Sequence, residues 1–133
     1  MVVEMDFFQT EAGAGKVLMM ILEDLDVGGM MAAPLQAAGY ICEIAHDPDQ
    51  AMEWLDSLQP DAVIMDYFLQ ETNGLNVLKG LRLKPITQNT PVLFMSKIPE
   101  EFVPEAQKYS PVDILEEAYD AAELRRKIDA LFI

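Results

Sequence analysis

Apolar residues in this chain fall into short, largely apolar runs, separated by longer stretches in which they recur at helical spacing. The runs are Val17–Leu22, Tyr40–Ile44, Ala62–Met65, Pro91–Met95 and Val112–Leu115. A short apolar run bounded by polar residues reads as a strand buried on both faces, as in a parallel sheet. Tyr40–Ile44 is less uniformly apolar and so belongs nearer an edge. Between the first two runs, Val27, Met30, Met31, Leu35 and Ala38 predict a helix over Leu25–Ala38. Gly28 and Gly29 weaken it, Pro34 should kink it, and Gly39 is its stop. Asp47-Pro48-Asp49-Gln50 is a helix start, with Asp47 as N-cap and Pro48 in the first turn. Ala51, Met52, Trp54, Leu55 and Leu58 form its apolar face. Leu75, Leu78 and Leu81 line one side of a helix over Leu75–Leu83, capped by Asn73-Gly74 and closed by Pro85. Over Glu100–Tyr109, Pro99 and Pro104 predict a helix that is short, displaced or partly melted. Asp120-Ala121-Ala122-Glu123 is a capping box, with Leu124, Ile128 and Leu131 facing the core behind it. Five strands alternating with five helices predict an α/β fold, with a parallel sheet, right-handed crossovers and helices on both faces.

Composition narrows the function classes. The chain has 133 residues, 51% of them hydrophobic, which suits one domain with one core. A net charge of −14 and a pI near 4.2 argue against nucleic acid or an anionic membrane as partner. No apolar run approaches the ~20 residues of a membrane span, and no signal peptide is visible. A single cysteine, Cys42, excludes an internal disulfide, and the cytoplasm is the default compartment. Cys42 and the lone His46 have no second Cys or His to complete a metal set, so both read as structural. Residues 1–15 read as an N-terminal arm and 16–133 as the domain. In the arm, Phe7 and Phe8 are apolar enough to dock, and Ala12-Gly13-Ala14-Gly15 is a joint. A frayed arm or short extra turn is the simpler reading, and a dimer-forming arm is the alternative. Gly13-Ala14-Gly15-Lys16 lacks the spacing and the Ser or Thr of a phosphate loop.

Polar residues at the ends of the apolar runs carry the chemistry. Val17–Leu22 runs into Glu23-Asp24, Ala62–Met65 into Asp66, and Pro91–Met95 into Ser96. Strand carboxyl ends are where open α/β sheets keep their crevices, so three acids and a hydroxyl should meet at one edge. A site shared by the first and third strands fits the strand order 2-1-3-4-5. Gathered carboxylates repel unless a cation or proton intervenes. Octahedral magnesium (or manganese), held by a few carboxylates, waters and a phosphate oxygen, is the usual solution. One carboxylate can then act as nucleophile toward a phosphoryl group, and the Ser96 hydroxyl can bond its oxygen. The plainer reading is acids decorating helix N-termini.

With these motifs in this order, Lys16–Ile133 resembles the receiver domains of bacterial two-component response regulators, which have a flavodoxin-like fold. The resemblance implies that Glu23 and Asp24 are the acidic pair, and that Asp66 is the phosphoacceptor. It also makes the Phe68 carbonyl a further magnesium ligand and Ser96 the switch hydroxyl. The implied function is phosphorelay: a histidine kinase or phosphotransfer protein donates to Asp66. Signalling then runs through a downstream protein, from a monomer or weak homodimer that is no enzyme beyond self-phosphorylation and self-dephosphorylation. Departures from the family pattern point to the alternative, a phosphorylation-independent pseudo-receiver acting as a protein-binding module. Glu117 stands where receivers carry a lysine, Gln70 replaces a common proline, and Lys97 replaces a small residue. Ile114 occupies the place of the switch aromatic. Lys97 is the candidate substitute cation for the missing lysine.

Overall fold

The computed structural model describes residues 15–95, 98–115 and 120–132. Five strands, β1 (Val17–Ile21), β2 (Ile41–Ala45), β3 (Ala62–Met65), β4 (Val92–Phe94) and β5 (Val112–Ile114), form one sheet. All pairings are parallel, and the order is β2-β1-β3-β4-β5, the winding expected from the sequence. The helices are α1 (Leu25–Ala37), α2 (Pro48–Leu58), α3 (Gly74–Leu83), α4 (Val103–Gln107) and α5 (Ala121–Ala130). The arm, apart from Gly15, lies outside the described residues.

Side chains alternate across the sheet, so each strand feeds two cores. Leu18 and Met20 of β1, with Ile64 of β3 and Leu93 of β4, pack under α1 and α5 through Met31, Leu35, Leu124 and Ile128. Met19, Ile21, Val63, Met65 and Phe94 point the other way, against Leu55 of α2 and Leu75, Leu78 and Leu81 of α3. β3, buried on both faces along its whole length, is uniformly apolar for that reason. β2 is the edge its mixed composition suggested, with Ile41 exposed.

Local chemistry sets the element ends. Asp47, Asn73 and Asp120 cap α2, α3 and α5, accepting from the amides of Gln50 (2.8 Å), Asn76 (2.9 Å) and Glu123 (2.8 Å). Tyr40, expected to open the second strand, instead donates its amide to Leu35 and closes α1. Leu22, Met95 and Leu115 fall just past their strands, yet each keeps a ladder bond, to Ala45, Met65 and Phe94. α1 continues through Pro34, which sits in its last turn where its missing N–H removes only one helical bond. Gly28 is needed for packing rather than flexibility. A Cβ there would lie 3.1 Å from the Ile44 side chain, so its absence lets α1 sit close to β2. The region containing Pro99 and Pro104 is short, as expected: a 3-10 turn over Glu100–Phe102 leads into the five residues of α4.

Candidate functional site

Asp66 is the first residue after β3, and its amide donates to Ile21 at the end of β1 (3.3 Å). Adjacent parallel strands thus set the acid, half-buried, at the carboxyl edge of the sheet, with Glu23 two residues past β1 beside it. Burial raises the Asp66 pKa above the usual carboxylate range, and the nearby Glu23 charge raises it further. A glycine holds the floor of this site. A Cβ on Gly74 would fall 2.3 Å from Phe94 Cε1 and about 3 Å from the Tyr67 backbone and the Asp66 carbonyl. The Gly74 amide donates to the Tyr67 carbonyl at 2.6 Å, so the N-terminus of α3 clamps the chain immediately after the acid.

Asp24, read from sequence as a magnesium ligand, has one carboxylate oxygen engaged in a helix cap. It is the N-cap of α1, with Oδ1 accepting from the amides of Asp26 (3.0 Å) and Val27 (3.2 Å). Glu23 and Asp66 therefore come together, while Asp24 is engaged at the start of its own helix. Among the described residues, no three His, Cys, Asp or Glu side chains gather closely enough to hold a metal. Phe68, two residues after Asp66, is 67% exposed and pairs as an isolated bridge with Asn73. Ile114, in the place of the switch aromatic, is partly buried against the core under α2 and α3. Ser96, Lys97 and Glu117 lie outside the described residues.

Two features of this edge were not foreseen. The first is an aromatic bridge from the acid to the fourth helical region. The buried Tyr67 ring stacks on Phe102 (centroids 6.4 Å, planes 21° apart) and meets Phe68 and Phe94 edge-on at 5.0 and 6.0 Å. Nothing in the spacing of these four aromatics announces this pairing. The second is an open cleft of about 380 Å³ whose walls include Glu23, His46, Asp47, Asp49, Glu71 and Thr72. Its histidine is held locally: Nδ1 lies 2.8 Å from Gln50 Oε1, and Nε2 lies 2.9 Å from Asp47. The cleft lining includes four acids, Glu23, Asp47, Asp49 and Glu71.

The donor set fits a small hard cation. Asp66 is a half-buried carboxylate whose charge is opposed by both desolvation and a second carboxylate, the strain that a divalent ion relieves. Glu23, Asp66 and a main-chain carbonyl such as that of Phe68 are hard oxygen donors. They leave the rest of an octahedral shell to water or a phosphate oxygen, the arrangement magnesium favours.

Comparison with known proteins agrees with this geometry. The family model described as the response regulator receiver domain matches residues 19–129. The phosphate regulon transcriptional regulatory protein PhoB of Pseudomonas aeruginosa is 26% identical over 87 residues, 65% of this chain and 38% of PhoB. The chain thus spans well under half the length of that curated relative. Among solved structures, chemotaxis protein CheY4 of Vibrio cholerae superposes with a TM-score of 0.81 at 20% identity, covering 89% of this chain and 99% of CheY4. The receiver domain of sensor histidine kinase PA1611 from Pseudomonas aeruginosa has a magnesium ion coordinated in its active-site cleft. It superposes at 0.75 with 20% identity, covering 90% and 98%. With the family model covering nearly the whole chain and the sheet wound in the matching order, this chain belongs to the response regulator receiver domain family.

Proposed function

We propose that the chain works in phosphorelay, with Asp66 accepting a phosphoryl group from a histidine kinase or phosphotransfer protein. The observation that carries this reading is the placement of Asp66: half-buried at the end of β3, set against Glu23, and clamped from behind by Gly74. Its carboxylate oxygen attacks the phosphorus of the donor while the P–N bond breaks; the donor histidine ring, protonated on its other nitrogen, leaves as neutral imidazole, and Asp66 becomes an acyl phosphate. Glu23, Asp24, Asp66 and the Phe68 carbonyl would hold a magnesium ion, whose positive charge would let the carboxylates and a phosphoryl group share one place. Asp24 contributes by orienting the Glu23 turn through its cap on α1, with Oδ2 outside the two cap bonds. Ser96 is the hydroxyl partner of the phosphoryl oxygen, and Lys97 is the substitute for the usual lysine.

Signalling then proceeds by binding a downstream protein from a monomer or weak homodimer. Self-phosphorylation and self-dephosphorylation are the only catalysis. The charge of −14 weighs against nucleic acid and anionic membrane as direct partners, and the cytoplasm is the compartment where a kinase would meet it. Among the described residues, no helix is long and apolar enough to cross a membrane.

A second reading has specific support. Asp24 is committed to a helix cap, and Glu117 brings a negative charge where the family carries a positive one. Both favour a pseudo-receiver that binds partners regardless of phosphorylation. Intact mass after incubation with magnesium and acetyl phosphate separates the two. A gain of one phosphoryl group by the parent and none by Asp66→Asn supports phosphorelay. No gain by the parent with either a small donor or a phosphohistidine donor supports the pseudo-receiver.

A further inference from the structure

α1 presents an apolar outer flank that the fold leaves uncovered among the described residues. Leu25, Val27 and Met30 are exposed by 54%, 43% and 77%. Val27 and Met30 border a groove of about 270 Å³ between α1 and α5, lined also by Met31, Pro34, Ala121 and Leu124. An apolar strip of this kind on a chain of charge −14 marks a contact surface rather than a solvated face.

The way the chain enters the domain identifies the occupant. The Gly15 amide donates to the Gly39 carbonyl, just past the end of α1 (3.1 Å). The next residue, Lys16, holds its ammonium 5.5 Å from the ring centroid of Phe132, just past the end of α5. Gly15 and Lys16 therefore sit beside the C-terminal ends of the two helices that form this groove. Phe8 lies seven residues before Gly15, a reach of up to about 25 Å. Met30 lies seven residues before the end of α1, a rise of only about 10 Å. Residues 3–8 read Val-Glu-Met-Asp-Phe-Phe, so an extended arm sets Val3, Met5 and Phe7 on one side, with Glu4 and Asp6 on the other. That polar edge suits a neighbouring helix carrying Arg125 and Arg126.

We propose that residues 2–8 fold back along their own domain and fill the α1–α5 groove, with Phe7 against Met30. The contact is independent of phosphorylation at Asp66. The experiment places photoreactive benzoylphenylalanine at position 7 of the full chain. It is irradiated at low micromolar concentration and digested after glutamate, so that residues 24–43 emerge as one peptide. The expected result is a crosslink from position 7 to Met30 or Met31 within a single chain, with amides 3–8 exchanging at least about tenfold more slowly than in the free peptide. The surface change Met30→Ser should cut the crosslink yield several-fold and release that protection, with the domain still folded. Crosslinks joining two chains would assign the groove to a second copy and overturn the proposal. Free-peptide exchange rates, or crosslinks unaffected by Met30→Ser, would also overturn it.

Discussion

At the scale of single residues, Asp66 is the informative one. Its folded-state pKa is raised, first by burial and then by Glu23, so the folded protein holds that proton more tightly than the unfolded chain does. Below the unfolded pKa both states are protonated and nothing is lost. As pH rises through the raised value, the ionised acid comes to destabilise the fold. Asp66→Asn should therefore melt higher than the parent at pH 7 in metal-free buffer. The gain should be on the order of 2 °C, since partial exposure limits the effect and 1 kcal/mol corresponds to roughly 4 °C in a domain of this size. At pH 3.5, below the ordinary aspartate value, the difference should shrink markedly, a comparison that thermal denaturation at the two pH values makes directly. Gly74→Ala should act in the opposite direction. The added methyl meets Phe94 and the backbone of Tyr67 and Asp66, costing about 1–3 kcal/mol in chemical denaturation and slowing phosphorylation with it. Cys42 is half-buried, and burial, with help from Glu43, pushes its thiol up to about 11. Iodoacetamide should label it far more slowly at pH 7 than it labels a free thiol, as the structural reading of that residue requires.

Among the elements, the fourth helical region is the weakest and is tied to the site by side chains. α4 is five residues long, and Pro104 sits in its first turn, where its missing N–H is not needed. It is anchored from two sides: Phe102 stacks on Tyr67, and Glu105 pairs with Lys79 of α3 at 2.7 Å. Since Tyr67 directly follows Asp66, a change at the acid has a short packed path to this region. Phe102→Ala should cost about 0.5–1.5 kcal/mol. It should also speed amide exchange over residues 100–107, while α2 and β2 keep theirs. Equal exchange in both proteins would remove the aromatic bridge as a link. A different residue ties together the opposite end of the sheet. Arg82, at the end of α3, donates to the carbonyls of Thr87 (2.8 Å), Thr90 (2.7 Å), Tyr109 (2.7 Å) and Pro111 (3.0 Å). One guanidinium thus holds the turns that lead into β4 and β5. Arg82→Met, which keeps the stem and removes the donors, should cost about 2–4 kcal/mol by leaving carbonyls unpaired.

For the whole molecule, the sum of charges and the cation are linked. A chain of net charge −14 with two neighbouring carboxylates at one edge of its sheet gains from any divalent ion that binds only the folded state. Magnesium at millimolar levels should raise the melting temperature of the parent and leave Asp66→Asn nearly unmoved. An equal shift in both proteins would mean that the ion acts on the general acidic surface instead of at the candidate site.

The pattern of apolar runs was enough to specify this architecture, because a strand buried on both faces must be apolar throughout and a crossover helix must show a stripe. β3 and its neighbours, the winding order and the three Asx caps were all legible for that reason. The acids at strand ends were legible too, since a parallel sheet delivers every strand end to one edge. The division of labour between those acids required the tertiary structure. Asp24 turns to the free amides of α1, Glu23 stays with Asp66, and no spacing in the chain distinguishes the two neighbours. Likewise Gly28 and Gly74 read as helix breakers and turn formers, and only the approach of Ile44 and Phe94 reveals them as places where a methyl does not fit. Tyr67 meeting Phe102, and Arg82 reaching carbonyls as far along the chain as Pro111, are contacts between distant segments. Local sequence encodes periodicity and caps, whereas such pairings exist only once the sheet has brought the segments together.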